Sequence, residues 1–399
     1  MKIALNIEKL GCRYGGAEKY AGTVARWLSD AGHNVHVFAS EVAASELPAG
    51  TPTHLVRSFC PPGFGWMRSY LFARASERAL REQHFDLIIG FNKVWYVNAY
   101  LAVGGAHPAS LDCNGRRFRS PFVRAAWWAS KLLSPRQWVF RLIDRKQFDG
   151  PHQPHVIAPS RMVAEHFTRY HGVSSDRISV VYNALDWLAT PTDANASRER
   201  FRLRHGLSPR EAAVLFVARN YALKGLEPLL EAFAGAAQRL PYSRLVVCGS
   251  RRDGRFRRQA RRLGVADRVS FLGFVDDIRE CFAGCDLFAF PTFYDPCSLV
   301  VLEAMNAGLP VITTRQNGAG ELLTEGVDGF VIDSPWSLHQ LTDRLTRLVH
   351  DAELRRSMAQ NARANVRAFT VEARQQEMLA ALERAASDRW ARPSLRAAA

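Results

Sequence analysis

Long apolar runs are absent from this chain of 399 residues. A helix needs about 18–20 consecutive apolar residues to span a bilayer, and no stretch of the sequence reaches that length. The start also lacks the apolar h-region of a secretory signal peptide, because Met1-Lys2 is followed at once by a predicted strand. The sequence therefore predicts a protein that does not cross a membrane.

Cysteine is scarce, and its residues are odd in number and scattered along the chain. Cys281 and Cys285 are four positions apart on a predicted helix, but no pair of histidines lies near them, so a zinc site is not expected. Reduced thiols in a cytosolic protein are the simpler interpretation, since disulfides are rare in that compartment. The seven cysteines are Cys12, Cys60, Cys113, Cys248, Cys281, Cys285 and Cys297.

The G-x-G-x-x-G spacing of dinucleotide-binding enzymes is missing as well, which argues against a dehydrogenase. In its place, a predicted strand over 2–7 leads to Gly15-Gly16, which opens a predicted helix that runs to about Asp30. Glycines allow positive φ and a close backbone approach, so this loop can lie under a phosphate or a sugar. Any βαβ unit can contain such a loop, and an ordinary structural turn stays open.

The length exceeds the ~250–300 residues that one hydrophobic core usually supports, so two domains are expected. Predicted strands and helices alternate along both halves, which is typical of parallel α/β sheets. A polar, turn-rich stretch at 190–197 is the predicted linker. The predicted strands are 2–7, 34–39, 53–57, 86–90, 156–158 and 178–182 in the first half, and 213–218, 244–248, 268–272, 286–290, 310–313 and 329–332 in the second.

Two carboxylates, Asp295 and Glu303, stand eight positions apart around the short turn Pro296-Cys297-Ser298, which opens an apolar predicted helix. The first backbone N–H groups of a helix have no partners within it, and with the helix dipole they form an anion site. A nucleotide sugar, with a diphosphate between two hydroxylated rings, fits this layout. The spacing alone also fits an ordinary strand, turn and helix with solvated acids.

Two cations and a glycine follow the predicted strand 213–218, namely Arg219, Lys224 and Gly225. Open α/β sheets bind ligands at the carboxyl ends of their strands. An arginine fork and a lysine point charge at this position could stabilise a departing diphosphate. Two ordinary surface cations are the alternative in this arginine-rich chain. Lysine is scarce, however, so a lysine at this position is not expected by chance. The chain has lysine only at Lys2, Lys9, Lys19, Lys93, Lys131, Lys146 and Lys224.

With these two segments the chain resembles the retaining GT-B glycosyltransferases of the glycogen-synthase-like group. Residues 219–225 match the family pattern R-x4-K-G, and 295–303 resembles its E-x7-E pattern with an aspartate first. In that family the first carboxylate contacts the transferred sugar, the last holds the ribose, and the amides between them bind the diphosphate. The resemblance assigns these roles to Asp295, to Glu303, and to Cys297, Ser298 and Leu299.

A second resemblance, to the lipopolysaccharide-core glucosyltransferases of the same family, rests on Asp86–Lys93 (DLIIGFNK) and Ala102–His107 (AVGGAH). It implies that Lys93 binds substrate, and that His107 joins Arg219, Lys224 and Asp295 as a catalytic residue, with Lys93 and His107 facing the interdomain cleft. A glycine stands where some members carry an acidic residue, so no protein general base is assigned. The segment after the strand 268–272 would lie beside the nucleotide base, with Phe274 as its contact.

The resemblance implies an α/β GT-B fold, with two Rossmann-like doubly wound domains facing across a cleft. Residues 1–185 would form the acceptor-side domain and 186–370 the nucleotide-sugar domain. A C-terminal helix within about 371–399 would pack back on the first domain. The family needs no divalent cation or other cofactor, and Asp276-Asp277 is not expected to bind a metal.

A basic aromatic segment at 115–147 accounts for much of the formal charge of +15. Indoles favour the headgroup level of a membrane, and each cation near an anionic surface contributes about 1 kcal/mol of attraction. Peripheral membrane contact is therefore predicted, with a packed helical insertion as the alternative. No nucleic-acid-binding module is present. Against the single acid Asp144 stand Arg116, Arg117, Arg119, Arg124, Lys131, Arg136, Arg141, Arg145 and Lys146, interleaved with Phe118, Phe122, Trp127, Trp128, Trp138 and Phe140.

Together with the basic aromatic segment, the resemblance implies a retaining hexosyltransferase on the cytoplasmic face of a membrane. The expected donor is a UDP-sugar, with UDP-glucose preferred, and the expected acceptor is a lipid-linked oligosaccharide such as lipopolysaccharide core. A mannosyl-, galactosyl- or N-acetylhexosaminyltransferase of the same fold stays open. So does an inert nucleotide-sugar-binding scaffold, because Asp295 and Ser298 replace the commoner Glu and Gly. No lysine motif for pyridoxal phosphate is present, which excludes a phosphorylase of the glycogen type.

Overall fold

The chain divides into two compact units in the computed structural model, which describes residues 1–11, 16–150, 153–184, 194–237 and 239–387. The first unit holds the described residues of Met1–Ala109, Phe118–Val181 and Gln375–Ala399, and the second holds those of Ser110–Arg117 and Tyr182–Arg374. The predicted boundary between residues 185 and 186 lies outside the described residues.

A parallel sheet forms the core of the first unit, with seven strands among the described residues in the order β5-β3-β1-β6-β7-β8-β9. All six predicted strands of this half are confirmed, whereas β7, only three residues long, was not predicted. The strands are β1 (Lys2–Asn6), β2 (Lys9–Leu10), β3 (Asn34–Ala39), β4 (Glu41–Val42), β5 (Thr53–Leu55), β6 (Leu87–Phe91), β7 (Ala99–Leu101), β8 (His155–Ala158) and β9 (Ile178–Val180), with β2 and β4 forming a separate pair.

Capping residues explain where several helices of this half begin and end. The hydroxyl of Ser160 accepts the Val163 N–H at the start of α6, and Gly172, with φ +62°, ends that helix. Ser120 caps α4 in the same way, and α4 and α5 both begin with proline. The helices are α1 (Gly16–Asp30), α2 (Arg68–Arg81), α3 (His107–Gly115), α4 (Pro121–Leu132), α5 (Pro135–Phe148) and α6 (Arg161–His171).

A second parallel sheet lies in the second unit, with six strands among the described residues in the order β12-β11-β10-β13-β14-β15. All six predicted strands are confirmed, and their apolar runs are buried on both faces, as in other covered parallel sheets. The strands are β10 (Ala212–Val217), β11 (Ser243–Cys248), β12 (Val269–Gly273), β13 (Leu287–Phe290), β14 (Val311–Thr314) and β15 (Gly329–Ile332).

Seven helices accompany this sheet in the described residues, and the first of them corrects a prediction. The stretch 190–197 was predicted as a linker, but its last four residues begin α7, and 190–193 lie outside the described residues. The helices are α7 (Ala194–Arg204), α8 (Leu226–Ala236), α9 (Gly254–Arg262), α10 (Ile278–Gly284), α11 (Leu299–Asn306), α12 (Leu338–His350) and α13 (Ala352–Val366).

The closing helix α14 (Val371–Ser387) confirms the helix predicted near the end of the chain. Its buried residues Met378, Ala381, Leu382 and Ala385 follow helical spacing, and Arg384 donates to the Ser179 hydroxyl on β9 at 3.2 Å. Within the described part of the chain, no helix has the length and apolarity needed to cross a bilayer.

Each sheet reverses its strand order at one point, and this point locates ligand sites in open α/β folds. In the first unit the reversal lies between β1 and β6, and in the second between β10 and β13. Lys93 follows β6, Lys224 follows β10, and Asp295 follows β13. The topology therefore places predicted site residues at the carboxyl ends of the strands that flank each reversal.

Candidate functional site

Lys224 and Asp295 form an ion pair at the carboxyl ends of β10 and β13. The Lys224 Nζ lies 2.6 Å from Oδ2 of Asp295 and donates to the Tyr294 carbonyl at 3.0 Å. The two side chains are 20% and 15% exposed, so the pair is largely shielded from solvent. The structure thus brings together two residues that the sequence predicted from separate motifs.

Gly225 shows why the lysine is followed by glycine. Its φ is +84°, and a Cβ at this position would lie 1.8 Å from the carbonyl oxygen of Pro291. Any side chain would therefore push the loop away from β13, and with it the ammonium that pairs with Asp295. The glycine allows the loop after β10 to lie against the chain that leaves β13.

Arg219 is exposed at the carboxyl end of β10, and the structure gives it no ion pair among the described residues. The Arg219 guanidinium therefore forms no ion pair with Asp295 in this structure. It lies five positions before Lys224 on the same loop. An anion bound there would supply the fork-shaped donor with a partner.

The turn that opens α11 presents backbone amides at the start of a buried helix. Ser298 is the N-cap residue with an extended ψ of 115°, and its side chain makes no capping hydrogen bond. Leu299, the first helical residue, is exposed. Cys297 is buried, burial raises the pKa of its thiol to about 12, and its carbonyl accepts from Nδ2 of Asn183 at 2.6 Å. The thiol therefore stays protonated, and the chemistry of the turn comes from its amides.

Asn317 fixes this turn, and the sequence reasoning did not find it. It is buried, its Oδ1 accepts the N–H groups of Ser298 at 3.2 Å and Ala319 at 3.1 Å, and its Nδ2 donates to the Thr313 hydroxyl at 3.0 Å. The backbone beside it also pairs with Asp295, since Gly318 donates to the Asp295 carbonyl at 2.9 Å. Its place in the sequence, as a polar residue just after strand β14, could have identified it as a candidate site residue.

Glu303 and Phe274 lie in the second unit, as does the ion pair, with Glu303 on helix α11 and Phe274 directly after strand β12. Glu303 is partly buried on α11, four residues after Leu299, and residues at this spacing share one face of a helix. Phe274 is exposed directly after β12, where Gly273 has φ +72°. Asp277 caps α10 and pairs with Arg279, so this acid already has a structural partner.

Lys93 and His107 lie in the first unit, where both contact helix α5. The Lys93 Nζ is 2.6 Å from Oδ1 of Asp144, and the His107 Nε2 is 2.7 Å from Oε1 of Gln137. Because an amide oxygen only accepts, Nε2 of His107 carries the proton. Burial first, and the charge of Lys93 second, lower the His107 pKa to about 4, which keeps the imidazole neutral near pH 7.

The glycine loop of the first unit is only partly described. Gly16 is the first residue of α1, in agreement with the predicted helix start, and Gly15 lies outside the described residues. In the described part of the chain, no group of three or more His, Cys, Asp or Glu side chains is arranged to hold a metal ion. Among the described residues, the two cations of the predicted diphosphate site are Lys224 and Arg219.

Comparisons with known proteins agree with this geometry. Residues 197–365 match the family described as "Glycosyl transferases group 1", and residues 14–186 match "Glycosyltransferase Family 4". Over 371 residues the chain is 24% identical to the lipopolysaccharide glucosyltransferase WaaG of Escherichia coli K12, covering 88% of this chain and 90% of WaaG. It is 30% identical over 312 residues to YtcC of Bacillus subtilis, named as an inferred glycosyltransferase, covering 75% and 72% of the two chains.

Solved structures give the fold directly. The crystal structure of WaaG, a glycosyltransferase involved in lipopolysaccharide biosynthesis, superposes with a TM-score of 0.74 at 22% identity, covering 95% of this chain and 98% of WaaG. HepE of Anabaena, in complex with UDP-glucose, superposes with a TM-score of 0.68 at 21% identity, covering 96% and 99%. This chain therefore belongs to the group 1 glycosyltransferases, is a transferase, and has the GT-B fold of two Rossmann-like units with parallel sheets.

Proposed function

We propose that this protein is a retaining glucosyltransferase that moves glucose from UDP-glucose to a hydroxyl group of a lipid-linked oligosaccharide such as lipopolysaccharide core. The observation that carries the proposal is the Lys224–Asp295 pair at 2.6 Å beside the turn that opens α11. The similarity to WaaG, named as a lipopolysaccharide glucosyltransferase, supports the acceptor class. The structural likeness to HepE, solved with UDP-glucose, supports the donor.

On the donor side, charge grows on the leaving diphosphate as the bond from the anomeric carbon to phosphate breaks. Lys224, Arg219 and the amide of Leu299 stabilise that charge, in the way that oriented donors do at other developing anions, while the Ser298 amide donates to Asn317 and holds the turn in place. Asp295, as a carboxylate, accepts hydrogen bonds from hydroxyls of the transferred sugar. These side chains and the Leu299 amide replace a divalent cation, so we propose that the reaction needs no metal or other cofactor.

The nucleoside half of the donor is assigned to the same unit. Glu303 lies on α11, beyond the amide that takes the diphosphate, and it holds the two ribose hydroxyls. Phe274, exposed after β12, covers the uracil base by stacking, which its accessible ring face allows. The ribose and base contacts are equal in UDP and UDP-glucose, so they supply binding and not rate.

On the acceptor side, His107 and Lys93 are assigned to the incoming hydroxyl, and the loop at Gly15-Gly16 lies under donor or acceptor. A neutral imidazole with its proton on Nε2 can accept a hydrogen bond through Nδ1. Because its pKa is about 4, His107 orients the hydroxyl through Nδ1 but does not hold a second proton near pH 7, so the hydroxyl proton passes to an oxygen of the departing diphosphate. The new bond forms on the face from which UDP leaves, which retains the anomeric configuration.

Membrane attachment is proposed through the basic aromatic surface, defined as the exposed residues of α4, of α5 and of the turn between them. Helix α4 has no buried residue in its twelve, which is unusual for a helix packed on its own domain. Large apolar side chains stand in solvent on this surface, with Phe122 84%, Leu133 81% and Trp138 64% exposed. The accompanying cations favour an anionic lipid surface, so the proposed location is the cytoplasmic face of the membrane, peripherally bound.

The test is turnover with a panel of UDP-sugars and extracted membrane lipid, read as product mass, with the anomeric configuration determined by NMR. UDP-glucose should be consumed fastest, and the product should keep the α configuration of the donor. Preference for another UDP-sugar would move the assignment to a different hexosyltransferase of this fold. Absence of any turnover, including hydrolysis without acceptor, would leave an inert nucleotide-sugar-binding protein.

A further inference from the structure

Helix α5 contacts both predicted acceptor-side residues through one face. Asp144 pairs with Lys93 and Gln137 contacts His107, seven residues or two helical turns apart. Phe140 lies between them, with the Lys93 Nζ 5.1 Å from its ring centroid and the His107 ring edge-on at 5.2 Å. Lys93 and His107 therefore share one support, although 14 positions separate them in the sequence.

The inner face of α5 is unusually polar for a buried surface. Six residues of the helix are buried, and three of them, Gln137, Asp144 and Gln147, carry polar side chains. Burying such groups costs free energy unless they are hydrogen-bonded. Two of the three satisfy that requirement through His107 and Lys93, so the position of α5 and the arrangement of those two residues depend on each other.

The outer face of the same helix belongs to the basic aromatic surface. Trp138 and Leu142 are exposed there together with Arg141 and Arg145. The Trp138 indole donates to the Leu132 carbonyl at the end of α4, which ties the two helices together. Any movement of the outer face therefore moves the same helix whose inner face contacts Lys93 and His107.

We propose that Gln137 and Asp144 are positioning residues that couple docking of α4 and α5 on an anionic bilayer to the arrangement of His107 and Lys93. This inference rests on the proposed membrane contact and acceptor-side roles. A bilayer shifts α5 only if it binds one position of the helix more tightly than another. The inference therefore requires that the exposed apolar and cationic side chains reach the lipid more fully after α5 has moved. Acceptor-side residues then take their working arrangement at the surface where a lipid-linked acceptor lies.

Hydrogen exchange measured by mass spectrometry tests the coupling without any substrate. The full-length protein is compared with vesicles of phosphatidylcholine alone and with vesicles that also contain phosphatidylglycerol. In the wild type, anionic vesicles should slow exchange in α4 and α5, and also about threefold or more in peptides that contain Lys93 and His107, because local opening becomes less favourable. A change confined to 115–147 in a vesicle-bound protein would overturn the coupling and leave the membrane contact intact.

Variants assign the effect to the two side chains. Asp144→Asn and Gln137→Ala should still sediment with anionic vesicles but lose the vesicle-dependent change at Lys93 and His107, respectively. Asp144→Glu, which keeps the carboxylate, should restore it at Lys93. Gln147→Ala, on the same buried face but with an amide nitrogen that has no hydrogen-bond partner, is the matched control and should behave as the wild type.

The outcomes separate this inference from the proposed function. If Asp144→Asn and Gln137→Ala keep the full vesicle-dependent change, the positioning roles are wrong whatever the membrane does. If either variant fails to fold, the wild-type comparison still decides whether membrane docking is coupled to His107 and Lys93, and Asp144→Glu still tests the role of the Asp144 carboxylate. A wild type that does not sediment with anionic vesicles would overturn both the coupling and the proposed membrane contact, and would leave the donor chemistry untouched.

Discussion

Lys224 and Asp295 are 71 positions apart in the sequence, yet the Lys224 Nζ and the Asp295 Oδ2 lie 2.6 Å apart. Each residue belongs to a different motif and follows a different strand, and the reversal of strand order between β10 and β13 makes those strands neighbours. In this arrangement Lys224 has two proposed roles. Lys224 fixes the carboxylate assigned to the sugar and supplies positive charge for the leaving diphosphate.

Removing either cation of the loop should slow the chemical step more than it weakens donor binding. Lys224→Ala and Arg219→Ala are each expected to lower kcat by about 10²–10³, since the charge they stabilise is largest in the transition state. Arg210→Ala is the matched control, because Arg210 is exposed just before the opposite end of β10. Turnover of UDP-glucose, with or without acceptor, measures the effect, and near wild-type kcat in either loop variant would rule out its assignment.

Replacing the two carboxylates, Glu303 and Asp295, should weaken the binding of different ligands. Glu303→Gln should weaken UDP and UDP-glucose alike, because the ribose belongs to both, whereas Asp295→Asn should spare UDP and weaken only the sugar donor. A hydrogen bond to a charged group contributes about 1.5–3 kcal/mol, so roughly ten- to hundredfold losses of affinity are expected in titration calorimetry. Equal loss of UDP affinity in both variants would mean that the two roles are misassigned.

Asn317→Ala should damage the turn that opens α11 without touching the charges of the site. The change removes three buried hydrogen bonds and leaves the Ser298 amide without its present partner. Leaving buried groups unpaired costs about 1–3 kcal/mol each, so a lower melting temperature and weaker UDP binding are expected together. Asn361→Ala, which removes an exposed side chain that donates to the Val327 carbonyl, should change neither. A folded Asn317→Ala protein with wild-type UDP affinity would contradict this role.

The strands were predictable because parallel strands buried on both faces are short apolar runs, and this pattern is local. The failures have a different origin. The polar residues 194–197 were predicted to lie in a linker, but they begin α7, in which Arg202 donates to the Gly284 carbonyl and pairs with Asp286 at 3.2 Å, and Phe201 packs against Gly284. Tertiary contacts with α10 therefore decide the local structure there, and no local pattern reports them.

The candidate site shows the same division. Residues inside motifs, such as Lys224 and Asp295, can be selected from the sequence because their spacing along the chain carries the information, and their roles stay predictions. The partners that hold them were not: Asn317 is 19 positions from Ser298, and Asp144 is 51 positions from Lys93. Long-range partners become visible only when the sheet order is known. The basic aromatic segment was predictable in composition, but only the structure divides it into an exposed α4 and a two-sided α5.

The partly buried His107 should make the protein less stable in acid. Its folded pKa of about 4 lies below the ordinary 6.5, so at pH values between these two the unfolded chain binds a proton that the folded chain does not. Its contribution to stability is complete above about pH 6.5 and falls as the pH drops toward 4, by up to on the order of 3 kcal/mol. Urea unfolding at pH 7.5 and pH 5.0 measures the difference.

Histidine variants test whether His107 causes this pH dependence of stability. His107→Gln should lose less stability between the two pH values than the wild type does, because the titrating group is gone. His84→Gln is the control, since His84 is exposed beside Asp86 and should leave the pH dependence unchanged. If both variants lose as much stability in acid as the wild type, the effect belongs to other groups.

Membrane binding should depend on where the charge lies and not only on how much there is. Replacing Arg124, Arg136, Arg141 and Arg145 by Gln removes four exposed cations from the basic aromatic surface and should abolish sedimentation with anionic vesicles at low salt. α9 and the loop before it provide a charge-matched control, in which Arg252, Arg258, Arg261 and Arg262, also exposed, are replaced by Gln. This second variant should still bind.

The apolar part of the same surface gives the second half of the test. Phe122→Ser with Leu133→Ser should also weaken vesicle binding, but with less dependence on salt, because screening over ~10 Å at 0.1 M salt acts on charge and not on apolar insertion. Equal loss of binding in the two arginine variants would show that net charge alone attracts the protein. In that case α4 and α5 form no specific lipid surface, and the exposed Phe122 and Leu133 require another partner.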